Sequence, residues 1–145
     1  MKRAPGDSTE QRSAEQVMIA AVAQQIGCSL VKQRIDLPNG SCLEVDGCNE
    51  QRTVLCEAWA HQGAPKSAQK MKVITDASKL FLAGKVIGGD VRRIFVFADD
   101  CAAAWFRGRS WMAEALRTMQ VEVCVIELPA DVRASLITAQ KRQYR

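Results

Sequence analysis

Two carboxylates carry most of the chemical interest of this chain. Asp46 ends the apolar-alternating run Leu43-Glu44-Val45-Asp46-Gly47, and Glu57 sits inside Val54-Leu55-Cys56-Glu57-Ala58-Trp59-Ala60. An acid within an apolar strand is costly to bury unless it is paired. Neighbouring antiparallel strands bring such residues side by side when they share a face. Two adjacent carboxylates repel and attract a cation, and hard oxygens favour Mg2+ or Mn2+. Such an ion can activate water and neutralise the charge that builds on a cleaved phosphodiester. A plainer alternative remains open, in which Asp46-Gly47 is a turn pair and Glu57 an edge-strand acid with a partner.

A segment rich in Lys and Gln, residues 65 to 83, follows at once. A lysine there could position water or stabilise the transition state. Helical spacing groups Lys66, Gln69, Val73 and Asp76 into one stripe and Lys72, Asp76 and Lys79 into another. Lys72 is the first candidate for that role and Lys66, nearer the strand end, the second. Net charge is +4, but its distribution is uneven. Residues 36 to 57 are acidic and residues 66 to 93 basic, a division that suits a metal site bordered by phosphate contacts. Lys70, Lys79, Arg107, Arg109, Lys141 and Arg142 are the candidate backbone contacts, each with solvated surface as the alternative. Trp105 and Phe106 lie among arginines, where an aromatic could stack on a base or belong to a helix core. His61 directly follows the second acidic run and could meet phosphate. Trp59 reads as a packing residue.

These residues need a framework. Residues 10 to 30 read as a helix, with Ser8 or Thr9 as cap. Residues 1 to 9 read as a disordered tail, and residues 10 to 145 as one domain. Strands are predicted over 33–37, 41–45 and 53–60, with Pro38-Asn39-Gly40 and Asp46-Gly47 at the turns. A helix over 65–83, a strand over 91–98, helical residues broken near Gly108, a strand over 121–128 and a helix to about residue 142 follow. The order is helix, three strands, helix, strand, helix, strand, helix. It implies an α/β fold with a mixed five-stranded sheet flanked by helices.

The chain has 145 residues and is 48% hydrophobic, enough for one domain with a real core. No apolar run approaches a membrane span, and no secretory apolar core follows the basic start, so a cytoplasmic protein without a membrane partner is expected. Six cysteines occur without any C-x-x-C, beside a single histidine. Structural zinc is therefore disfavoured and reduced thiols are expected. P-loop, dinucleotide and nucleophile-elbow signatures are missing from the sequence.

Glu15 in the first helix, Asp46 and Glu57 on adjacent strands, then a helix, a strand and a helix, together resemble the PD-(D/E)XK nuclease superfamily over roughly residues 10 to 128. The resemblance implies a restriction-endonuclease-like sheet, with Asp46 and Glu57 as ligands of Mg2+ (or Mn2+) and Glu15 as the acid of the first helix. The third motif departs from the pattern: Glu-x-Lys is replaced by Glu57-Ala58-Trp59. Some members carry the lysine on the following helix, where Lys66, Lys70 and Lys72 stand and Gln69 resembles a glutamine found in several branches. The expected function is a metal-dependent nuclease acting on DNA. The alternative is a catalytically silent module that binds nucleic acid or a protein partner. A third reading is a small subunit of a defence or phage system. A domain of this size would need a homodimer or partner to grip a duplex.

Overall fold

The computed structural model describes residues 9–143. The tail expected over residues 1 to 9 and the Ser8 cap lie outside them, except that Thr9 opens the first helix. That helix, α1 (Thr9–Ile26), buries Ala14, Met18 and Val22 one turn apart, with Ile19 beside them. This is the spacing that puts side chains on one helical face. It stops one turn earlier than the sequence suggests. Gly27 takes a positive φ of 75°, and the N–H groups of Gly27 and Cys28 both return to the Ala23 carbonyl. A glycine at this position ends a helix without steric penalty.

β1 (Val31–Asp36) and β2 (Cys42–Cys48) form a hairpin. Asn39 shapes its turn, accepting the Ser41 N–H at 3.1 Å. β2 runs three residues past the expected end, so Asp46-Gly47 lies within a strand and is not a turn. The turn falls later because Asn49 can build it. Its buried side chain accepts the N–H groups of Thr53 and Val54, both at 2.9 Å, and donates to Thr53 Oγ1 at 2.8 Å. β3 (Val54–Trp59) follows, then α2 (Ser67–Ile87), β4 (Arg92–Phe97), α3 (Asp100–Ala104), α4 (Trp111–Thr118), β5 (Val121–Val125) and α5 (Ala130–Gln143). The break expected near Gly108 separates α3 from α4, and Ser110 caps α4 by accepting the Ala113 N–H at 3.0 Å.

The five strands lie in sequence order in one mixed sheet. β1, β2 and β3 are antiparallel neighbours, whereas β3, β4 and β5 are parallel. Both parallel connections step the same way across the sheet. Their right-handed crossovers therefore deliver α2, α3 and α4 to one face. There Trp59, Leu80, Phe95, Phe97, Phe106 and Leu116 form the larger core. α1 and α5 cover the other face over Cys56, Ala58, Ile94 and Val96. The result is an α/β fold with an open five-stranded mixed sheet between helical layers. Among the described residues, no helix is long and apolar enough to cross a membrane.

Candidate functional site

The site begins with a defect in the sheet. Gln33 pairs with Val45, but Val31 pairs with Cys48, so β2 carries one extra residue around Asp46-Gly47. Such a bulge bends a strand and re-aims its side chains. The β2–β3 ladder pairs Gly47 with Cys56 and Cys48 with Leu55. The same register carried one step further sets Asp46 opposite Glu57, where the strands part. Asp46 Oδ2 accepts the Ala58 N–H at 2.9 Å, filling the place of a ladder carbonyl.

Alternation along β3 sends Leu55, Glu57 and Trp59 toward α2, and Cys56, Ala58 and Ala60 toward α1. Glu57 is only 2% exposed. Its carboxyl stands within hydrogen-bonding reach of the Asp46 carboxylate. From the other side α1 contributes Glu15, whose Oε2 accepts the Ala60 N–H at 3.2 Å. From α2, Lys79 Nζ lies 2.9 Å from Glu57 Oε1. At that distance the Lys79 ammonium is the charge and hydrogen-bonding partner of the Glu57 carboxyl.

The electrostatics follow from this crowding. Burial, reinforced by Asp46, pushes the Glu57 carboxyl up to about 10, and Lys79 offsets this only in part. Burial also raises Glu15 to about 7, with Asp46 adding to the rise and the Ala60 N–H and Lys72 opposing it. Burial disfavours the Lys79 ammonium, but Glu57 and Asp76 outweigh it and raise its pKa. The cluster is thus short of positive charge, and a proton or a cation relieves it.

The other candidate residues fall into distinct places. Lys72 reaches Asp76 at 2.9 Å and not a carboxylate of the pair, although its charge is felt at Glu15 and Glu57. Lys66 stands exposed at the N-terminus of α2, where the Gln69 side chain accepts its backbone N–H at 2.8 Å. Gln69 therefore acts as a helix cap. Lys70 sits 3.6 Å over the Trp105 ring. Lys79, expected on a phosphate-facing surface, lies instead against Glu57. Arg107 leans toward Asp100 at 3.8 Å and Arg142 pairs with Glu10 at 2.7 Å. Arg109 and Lys141 are exposed. His61 stacks on Trp59 with ring centroids 4.7 Å apart, and burial lowers its pKa. Trp59 is 2% exposed, so the position that the motif gives to lysine is filled by core.

Lys79, which the sequence reading counted among backbone contacts, and its neighbour Asp76, 3.6 Å away and given no role there, join the site. Their shared stripe with Lys72 was visible; what it faces was not.

A cavity of about 380 Å3 opens on the α1 side of the cluster, with Glu15, Asp46, Arg12 and Lys32 among its lining. Among the described residues no three His, Cys, Asp or Glu side chains gather as a metal-holding group. The available donors are the Asp46–Glu57 pair. Their hard oxygens are of the kind a divalent cation takes, but Lys79 now holds Glu57 Oε1 and would have to give up that place, with water completing the coordination. Comparison with family models, with curated proteins and with solved structures finds no match for this chain.

Proposed function

We propose that this chain is a metal-dependent nuclease of the PD-(D/E)XK type, with a restriction-endonuclease-like fold, acting on DNA phosphodiesters. One observation supports the reading above the rest: a buried Glu57 carboxyl meets Asp46 across a fork in the sheet, with an amine overlooking both. Asp46 and Glu57 would hold Mg2+ or Mn2+, which when bound supplies an activated water and charge neutralisation at phosphate. Glu15, half-buried behind Asp46, orders the α1 side through the Ala60 N–H. Lys79 stands in for the lysine displaced by Trp59, holding a positive charge beside Glu57. Lys72 reinforces the field through Asp76.

A second reading is favoured by the same ion pair. If the Lys79 ammonium permanently satisfies Glu57, no metal is required, and the chain is a catalytically silent module for nucleic acid or a protein partner. Cleavage of plasmid and oligonucleotide DNA in Mg2+ or Mn2+ tests the first reading. Asp46→Ala and Glu57→Ala are each expected to abolish it, and undiminished cutting by both would remove the nuclease reading. Calorimetry separates the two, because carboxylate-dependent binding of Mn2+ counts against the silent module. Sedimentation of the DNA complex checks whether a homodimer grips the duplex.

A further inference from the structure

Two tryptophans outside the core bracket one short segment. Trp105 closes α3 and Trp111 opens α4. Trp111 is 63% exposed and Trp105 39%. The segment between them is firmly built. Ser110 Oγ donates to the Trp105 carbonyl at 2.6 Å, and Trp105 Nε1 donates to Met112 Sδ at 3.3 Å. Arg117 donates to the Gly108 carbonyl at 3.4 Å through both terminal nitrogens. The backbone that carries Trp111 is thus fixed by the fold, and its ring lies exposed.

One lysine touches Trp105 and two arginines share the segment, with the acids Asp100 and Glu114 on the flanking helices. Lys70 lies over the Trp105 ring at 3.6 Å, the geometry of a cation–π contact. Arg109 lies exposed in the same segment and pairs with no acid among the described residues. Arg107 is also exposed, with its acid partner only at 3.8 Å. An apolar protein partner would be met by uncharged rings, whereas flat aromatics interleaved with positive charge complement a flexible polyanion that carries π faces.

We propose that the Trp105–Trp111 segment, with Lys70 of α2, is a stacking platform for single-stranded nucleic acid. Trp111 takes a base face, and Lys70 and Arg109 take the flanking phosphates. The platform is independent of the acid cluster. Lys70 turns toward Trp105, whereas Lys72, Asp76 and Lys79 lie on the other flank of α2 toward Glu57.

The test is titration of the full chain with oligo(dT) and oligo(U) at low salt in EDTA, followed by tryptophan fluorescence. Quenching is expected, with affinity falling as salt rises. Trp111→Ala and Lys70→Ala should each weaken binding about tenfold, and Trp111→Phe should retain most of it. The exposure of Trp111 keeps these variants folded, which circular dichroism checks. Comparison of the two oligomers assigns the DNA or RNA form. Asp46→Asn/Glu57→Gln should bind at least as tightly as the parent. A chain that binds oligomers but never cleaves would sink the nuclease reading and leave this one standing. The absence of quenching by either oligomer, or binding indifferent to both Trp111→Ala and Lys70→Ala, would overturn the platform. So would a dimer that Trp111→Ala dissociates in a chain that binds no oligomer, which would assign the surface to a second copy.

Discussion

Glu57→Gln should change how stability depends on pH, and the size of the change follows from the site. In the folded, metal-free chain the Glu57 carboxyl is pushed up to about 10, chiefly by burial and then by Asp46, from the ordinary 4.5. A group whose folded pKa is raised stabilises fully below its unfolded pKa, and that contribution is lost as pH climbs toward the folded value. Each pH unit in the window corresponds to about 1.4 kcal/mol per group. Between pH 5 and pH 8, Glu57 alone therefore costs at most roughly 4 kcal/mol, a figure that relaxation around Lys79 reduces. Glu15, raised to about 7, adds a second loss that is confined to pH below about 7. Glutamine keeps the shape and can donate to Asp46. The variant's stability relative to the parent should thus grow steadily from pH 5 to pH 8 in EDTA, as measured by urea unfolding at each pH. Divalent cation should rescue the parent and not the variant. At ten times its dissociation constant, a bound ion adds about 1.4 kcal/mol, and at a fixed cation concentration the gain rises with pH as the competing proton is lost. A parent-minus-variant difference that stays flat with pH would refute the account of the cluster as proton-hungry. Equal rescue of both proteins would refute Glu57 as a ligand.

Lys79→Met should reduce DNA cleavage by roughly two orders of magnitude, the usual effect of removing one transition-state donor; Lys72→Met should act more weakly, because Lys72 is held by Asp76. If the chain is silent, Lys79→Met should instead increase Mn2+ binding, read by calorimetry. Asn49→Ala should lower stability by about 1–2 kcal/mol in chemical unfolding, since it strips the amides of exposed Thr53 and half-buried Val54 of their acceptor. Gly84→Ala should destabilise despite a helix-propensity gain of about 1 kcal/mol. A Cβ there would run into the Arg93 guanidinium, which is fixed by the carbonyls of Leu80 and Val91. A net loss of about 1–2 kcal/mol is expected from that overpacking, and thermal unfolding checks it.

The linear order of side chains already dictated a good deal. Period-3.6 apolar spacing in α1 and α2, continuous apolar runs in β3, β4 and β5, and Gly or Pro punctuation sufficed to predict an α/β fold with a five-stranded mixed sheet. They sufficed because local propensity and binary pattern agreed at those elements. They failed at the end of β2, where Asp46-Gly47 has the composition of a turn. Asn49 prevails there through hydrogen bonds to residues four and five positions ahead, and the bulge between the Val31 and Gln33 pairings exists only once β1 is paired. The chemistry divides in the same way. That Asp46 and Glu57 could meet was implied by their strands, because antiparallel neighbours share faces. Which amine faces them was not, because three lysines on one helix differ only in rotation about its axis. Packing of Val73, Ala77 and Leu80 against the sheet fixes that rotation. It brings Lys79 to Glu57, commits Lys72 to Asp76, and turns Lys70 toward Trp105.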